Sequence, residues 1–155
     1  MISNTYANKI LNLACGVKDE MTMPDYLYLG LSKDEPDRAT GVISTSSEDK
    51  GEPAKTTVPS YKRVVVGGKS ANIKYFSEAS GGSISNNKEI HFDAAKQTFG
   101  LMKWFFLSTS ETGPAIMWGQ INGENGVDIN VDDGEVVPVF YVGDLQASID
   151  LKTTE

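Results

Sequence analysis

The sequence predicts an all-β fold, a β-sandwich of jelly-roll-like or Ig-like type, with one short N-terminal helix. Apolar and polar residues alternate with a period of two through most of the last third of the chain. Fifteen glycines, some of them in Gly-Glu, Gly-Asp and Gly-Pro pairs, mark frequent tight turns. Short strands with closely spaced turn signals are typical of sandwiches and barrels rather than of βαβ units.

Length and charge limit the organisation and the partners. A chain of 155 residues has the length of one domain, so we expect residues 1–155 to form a single β-sandwich domain. The net charge of −7 argues against a nucleic-acid partner and against docking to anionic membranes. No run approaches the ~18 apolar residues of a membrane span. Polar residues within the first 16 positions interrupt any signal-peptide core, so we expect no cleaved leader.

The first third of the chain contains one predicted helix, one strand and one loop. The helix covers about 3–15, where Ser3 or Asn4 caps it and Gly16 follows its end. Its apolar side chains fall on one face, which suits packing on a sheet or on a neighbouring subunit. Residues 26–32 are apolar and aromatic and predict a buried strand. Residues 33–57 are polar and turn-rich and predict a long surface loop, with room for a short strand at 41–44.

The remaining two thirds are predicted to be strands and turns. Strands are expected at 61–66 and at 89–93, where Ile90 and Phe92 point inward and His91 outward. Residues 72–77 are ambiguous, and residues 81–87 predict a turn region. The last five strands are predicted at 101–109, 114–121, 126–131, 136–142 and 144–152.

Two segments resemble ligand-binding loops but fail on spacing. In Gly67-Gly68-Lys69-Ser70, a phosphate loop would need a further glycine where Arg63 stands. In residues 128–135, an EF-hand would need Gly at position six and Glu at position twelve, and these positions hold Asp133 and Val139. We interpret the first as a turn after a strand and the second as the solvent face of a strand. A cation site of another type at 128–135 is the less favoured alternative.

The sequence points to no catalytic, cofactor-binding or metal-binding residue, so we expect neither an enzyme nor a cofactor. His91 is the only histidine, which excludes most catalytic triads and dyads. A zinc ion at His91 would also lack further ligands nearby in the sequence. Cys15 is the only cysteine and is best interpreted as a small buried hydrophobe. Acidic residues are plentiful, but spacing marks no pair of carboxylates as a glycosidase pair.

Trp104, Phe105, Phe106 and Trp118 are the main candidate interface and core residues. They are also the residue types of a platform that stacks sugars or bases. Residues 103–107 are apolar on both faces, which favours a strand buried on both sides, with a neighbouring chain over one of them. Core and interface packing is therefore the preferred interpretation.

Eight short motifs follow one another along most of the chain. They are Tyr-Ala-Asn-Lys-Ile-Leu at 6–11, Leu-Tyr-Leu-Gly-Leu-Ser at 27–32, Tyr-Lys-Arg-Val at 61–64, Ile-His-Phe at 90–92, Phe-Gly at 99–100, Ile-Met-Trp-Gly-Gln-Ile at 116–121, Gly-Asp-Leu at 143–145 and Ile-Asp-Leu at 149–151. This ordered set resembles a family of small phage virion proteins labelled "phage tail fiber protein". The chain departs from that pattern in having Phe99-Gly100 for Trp-Gly, a longer charged loop at 33–57, and extra residues with Pro138 at 122–142.

The resemblance implies a non-enzymatic structural component of a bacteriophage virion, synthesised in the host cytoplasm. The expected form is a tail- or collar-associated fibre-type subunit that assembles as a symmetric homo-oligomer, a trimer, with other virion proteins. A host surface is a further expected partner. The motifs add Tyr28, Tyr61 and Arg63 to the interface and core candidates. The alternatives are a capsid decoration protein that stabilises the head and, less favoured, a carbohydrate-binding module.

Overall fold

A computed structural model describes residues 1–44, 50–123, 125–132 and 134–148. Within these ranges, one helix precedes ten short strands. The elements are α1 (Asn4–Ala14), β1 (Leu27–Ser32), β2 (Val64–Gly67), β3 (Ser83–Ser85), β4 (Ile90–His91), β5 (Gly100–Met102), β6 (Trp104–Ser108), β7 (Ala115–Gln120), β8 (Val127–Ile129), β9 (Val139–Phe140) and β10 (Gln146–Ser148). The prediction of an all-β fold with one N-terminal helix is confirmed. No helix in these ranges is long and apolar enough to cross a membrane.

Among the described residues, all strand pairs are antiparallel, and they form one larger sheet and three small ones. The larger sheet has the order β2-β1-β6-β7, and the small sheets pair β10 with β3, β4 with β9, and β5 with β8. The predicted strand at 101–109 is divided between two sheets, because β5 pairs with β8 while β6 pairs with β1 and β7. Between them, the Lys103 amide donates to the carbonyl of Ser32.

The larger sheet is buried on both faces. On one face, Phe105 and Leu107 of β6 pack against a first hydrophobic cluster. Its buried members include Met102 and Ile129 of the small sheets. On the opposite face, Trp104 packs against a second cluster, whose buried members are Phe106, Ala115 and Trp118. The expectation that both faces of β6 are covered is therefore met within one chain. The second face needs no neighbouring chain, because Ile43 of the 33–57 loop packs against it.

Each phenylalanine of β6 lies over a glycine of a neighbouring strand. Phe106 is paired with Gly30 of β1, and Phe105 is paired with Gly119 of β7. A Cβ atom at Gly30 would lie 2.2 Å from Cζ of Phe106, and one at Gly119 would lie 2.6 Å from Cζ of Phe105. The absent side chains therefore make the space that the two rings occupy on opposite faces of the sheet.

We expect Gly30→Ala to lower the free energy of unfolding by about 1–3 kcal/mol, because the fully buried Phe106 ring has no free space to move into. Gly67→Ala is the matched control, since Gly67 lies in the neighbouring strand β2 with its nearest side-chain atom 3.8 Å from the added Cβ. That variant should be neutral or slightly stabilised. Urea denaturation measures both, and equal stability of the two variants would contradict this account of the glycine.

Several predicted boundaries are wrong. In the 81–87 turn region, only the Gly-Gly pair lies in the turn, and Ser83–Ser85 form β3 because β10 supplies them with a partner strand. Residues 41–44 contain no strand, since the Gly41 amide donates to Asp37 and its carbonyl accepts from Ala115 instead of joining a ladder. The strand predicted at 136–142 is limited to Val139–Phe140. Residues 149–152 of the last predicted strand lie outside the described residues.

Candidate functional site

The predicted interface and core residues do not form an open platform. Phe106 and Trp118 are 0% and 3% exposed, so neither ring is available to stack on a ligand. Phe105 lies on the opposite face of the sheet from the other three aromatic residues. Tyr61 and Arg63 are buried, and Trp104, Phe105 and Tyr28 are half-buried. Except for Tyr28, these side chains pack within or against the two hydrophobic clusters, with Arg63 lying over the Phe106 ring.

Arg63 is the centre of a buried polar network. Its Nε and Nη2 atoms donate to the two carboxylate oxygens of Glu52 at 2.9 and 2.8 Å. Its Nη1 atom donates to the carbonyls of Ser110 and Gly113 at 2.8 and 2.9 Å. The guanidinium carbon lies 4.7 Å from the centroid of Phe106. Bidentate pairing fixes the guanidinium plane, so the network joins the 50–57 segment, β2 and the β6–β7 turn.

Tyr61 completes this network on the side of β1. Its hydroxyl donates to Oε1 of Glu52 at 2.7 Å and accepts from the amide of Leu31 at 2.9 Å. Burial, with the negative charge of Glu52 adding to it, raises the pKa of Tyr61 well above its ordinary value. The phenol is therefore a neutral donor at physiological pH. The closed set of partners supports a structural role.

The segments that resemble ligand sites have local partners. Lys69, after β2, pairs with Asp25 at 3.0 Å. Nε2 of His91 lies 3.1 Å from Glu89, and both side chains are more than half exposed. Asn130 accepts hydrogen bonds from Thr98 and from the amide of Asp132, whereas Asp133 lies outside the described residues. Across the ranges that the structure describes, no three His, Cys, Asp or Glu side chains are grouped to hold a metal ion.

Helix α1 is attached to the sheet through its first turn. Ser3 is 2% exposed, caps the helix by accepting from the amide of Tyr6, and donates its own amide to the carbonyl of Ile116 in β7. The amides of Asn4 and Thr5 donate to the carbonyls of Arg38 and Ala39. These bonds use donors that a helix N-terminus leaves without partners, so the loop before β2 and the edge of β7 together hold the start of α1.

The rest of α1 leaves apolar side chains exposed to solvent. No residue of the helix is buried, and Leu11 is 59% exposed. Ile10, Leu13 and Val17 are exposed as well, and Cys15 is exposed rather than buried as the sequence suggested. We call Ile10, Leu11 and Leu13 of the helix, together with Val17 in the segment that follows it, the α1 apolar surface. The sequence indicated this apolar face, but only the structure shows that the chain's own sheet does not cover it.

A groove of about 640 Å³ lies beside the first half of α1. Tyr6 and Lys9 line it from α1, and Tyr26 and Tyr28 line it from the start of β1. The Tyr26 and Tyr28 ring centroids are 6.3 Å apart with the rings tilted by 57°. Glu111 reaches the groove from the β6–β7 turn. The sequence did not indicate this groove, because its lining residues are brought together only by the position of α1 beside β1.

Comparison with known proteins bears on the family to which the chain belongs. No curated protein matches it. A protein-family model described as "Podophage GP4 fiber I protein gp80" matches residues 1–148, a range that includes α1 and all ten strands described above. This match confirms the predicted resemblance to phage tail fibre proteins. The chain therefore belongs to the family of Podophage GP4 fiber I protein gp80 and is a structural component of a phage virion fibre.

Proposed function

We propose that this chain folds as one β-sandwich domain and works as a non-enzymatic, tail- or collar-associated fibre subunit. It assembles as a symmetric homo-oligomer, a trimer, through the α1 apolar surface. The observation that carries this proposal is the exposure of that surface on a helix whose first turn is fixed to the sheet. Membership of a fibre family implies association with other virion proteins.

The α1 apolar surface suits contact between identical copies. Ile10 and Leu13 are three residues apart on one face of α1, and Val17 follows the end of the helix, after the chain turns at Gly16. The surface itself carries no charged residue, whereas the whole chain has a net charge of −7. Three copies around an axis can therefore bring their helices together with little electrostatic repulsion, and apolar burial would stabilise the contact. A helix of 11 residues is too short to associate alone, so the sheet must hold it in place.

The molar mass in solution tests this proposal. Light scattering on the eluting full-length protein should give the mass of three 16.8 kDa chains. Leu13→Glu should give monomers that still unfold cooperatively, because it places a charge in the contact and removes no buried side chain of the single chain. Asn8→Glu, an exposed polar position on the same helix, should remain trimeric. A monomeric native protein, or a trimeric Leu13→Glu variant, would contradict assembly through this surface.

The position on the particle requires a separate measurement. In a reconstruction of virions, density for this chain is expected at the tail or the collar. Density on the capsid lattice would instead support the alternative of a capsid decoration protein. Non-enzymatic action is supported by the closed Arg63–Glu52–Tyr61 network, in which each of these side chains already has protein partners.

A further inference from the structure

We propose that Asn122, in the turn between β7 and β8, is a site of spontaneous deamidation, which converts its side-chain amide to an acid. The sequence contains two Asn-Gly pairs, Asn122-Gly123 and Asn125-Gly126, and both lie in this turn. Glycine is the most permissive residue to follow the asparagine, because it has no side chain to obstruct ring closure. The structure leaves the first pair free and holds the second, which makes the first the reactive one. This chemistry requires no oligomer, since neither pair lies on α1.

The reaction needs only water, and no atom is oxidised or reduced. The amide nitrogen of Gly123 loses its proton to hydroxide and attacks Cγ of Asn122. The side-chain nitrogen takes a proton from water and leaves as ammonia, so that a five-membered succinimide ring remains. Water then adds to one of the two ring carbonyls and breaks the ring C–N bond, which gives aspartate or isoaspartate. Either product adds a negative charge to the turn at physiological pH.

The first pair has the freedom that ring closure requires. Both residues are exposed, and a Cβ atom built on Gly123 would have no described atom within 4 Å, chain neighbours aside. Within the described part of the chain, the Gly123 amide and the Asn122 side chain make no hydrogen bond. The Asn122 carbonyl accepts a long bond, 3.4 Å, from the Asn125 amide, and this bond leaves the attacking nitrogen free. Asn122 has a φ of 52°, in the left-handed region that few residues with a side chain adopt, so no favoured backbone conformation holds it in place.

The second pair is held by its glycine. Gly126 is buried, and its amide donates to the carbonyl of Ile121 at 3.1 Å, which closes the turn. A Cβ atom at Gly126 would lie 2.5 Å from the carbonyl oxygen of Met102, so the backbone here is packed against the end of β5. Attack by the Gly126 nitrogen on Asn125 would first break the hydrogen bond and move this backbone. The loss of one such bond corresponds to about tenfold in rate.

Peptide mapping of the full-length native chain by mass spectrometry tests the assignment. A protease that cleaves after glutamate separates the two sites, because Glu124 stands between them in the sequence. After incubation in mildly alkaline buffer, we expect at least about tenfold more acid at position 122 than at position 125. In concentrated urea, which removes the bond between Ile121 and Gly126, the two rates should become nearly equal. In mildly acidic buffer the conversion at 122 should slow, because the attacking nitrogen must lose its proton.

Two variants separate the sites further. Asn122→Gln should abolish the fast conversion, because glutamine would have to close a larger, six-membered ring. Asn125→Gln should leave the conversion at 122 unchanged. Both positions are exposed, so both variants should remain folded. Equal rates at the two sites in the native chain, or faster conversion at 125, would overturn the assignment. An intact Asn122 in the native chain, under conditions in which urea allows its conversion, would overturn it as well.

Discussion

Arg63→Met is expected to lower the free energy of unfolding by about 3–5 kcal/mol, the usual cost of breaking a buried ion pair by removing one partner. The change leaves the carboxylate of Glu52 largely buried without its cation. It also removes the donors that satisfy the carbonyls of Ser110 and Gly113, and the cation above Phe106. Urea denaturation followed by tryptophan fluorescence measures the change.

The adjacent residue offers a matched control. Lys62 pairs with Asp93 at 2.8 Å, but both side chains are about 60% exposed. Lys62→Met should therefore cost about 0–1 kcal/mol, as is typical of surface pairs. The double variant Arg63→Met/Glu52→Met should recover part of the loss, since it removes the unpaired charge. If Arg63→Met costs no more than Lys62→Met, the network does not stabilise the fold as described.

Trp118→Ala is expected to lower the free energy of unfolding by about 3–5 kcal/mol, because it leaves a cavity in the second hydrophobic cluster. The indole is 3% exposed and packs with Phe106 and Ala115. Its Nε1 atom donates to Oε1 of Glu35 at 3.2 Å. This bond joins Arg38 in holding the pKa of Glu35 below its ordinary value, Arg38 having the larger effect. Thermal unfolding should shift downward by about 10 °C or more for a chain of this size.

Trp104→Ala is the comparison for this second prediction. Trp104 lies on the same face of the sheet but is only half-buried, so its loss should cost about half as much. Trp118→Phe keeps most of the packing and loses the bond to Glu35, at an expected cost of about 1 kcal/mol. Virion yield should follow the same order as stability. A Trp118→Ala variant with native stability and normal assembly would refute the importance of this cluster.

The parts of the fold that follow from local pattern were predictable. The alternation around His91 predicted Ile90 and Phe92 as inward residues, and both are buried. Residues 103–107 predicted a strand covered on both faces, and β6 is such a strand. The start of α1 follows from the capping chemistry of Ser3. In each case the signal lies within a few residues of the element that it predicts.

Asn86 shows why other features were not predictable. Its sequence context indicated a turn, yet it is 1% exposed and fully bonded. Nδ2 donates to the carbonyls of Lys88 and Tyr141, and Oδ1 accepts from the amides of Gly143 and Leu145. Three of these partners are 55 to 59 residues away along the chain. Nothing near Asn86 in the sequence marks such distant partners.

The sequence by itself determined most of the strand-forming segments, the faces of the best-patterned strands and the family, because hydrophobic periodicity and the order of motifs are local properties. The tertiary structure decided which glycine lies under which ring, which carboxylate pairs with Arg63, where β5 leaves the path of β6, and that α1 keeps its apolar face free. These features depend on strand order and register, which long-range contacts set. The same long-range contacts assemble the tyrosine groove and leave the α1 apolar surface exposed.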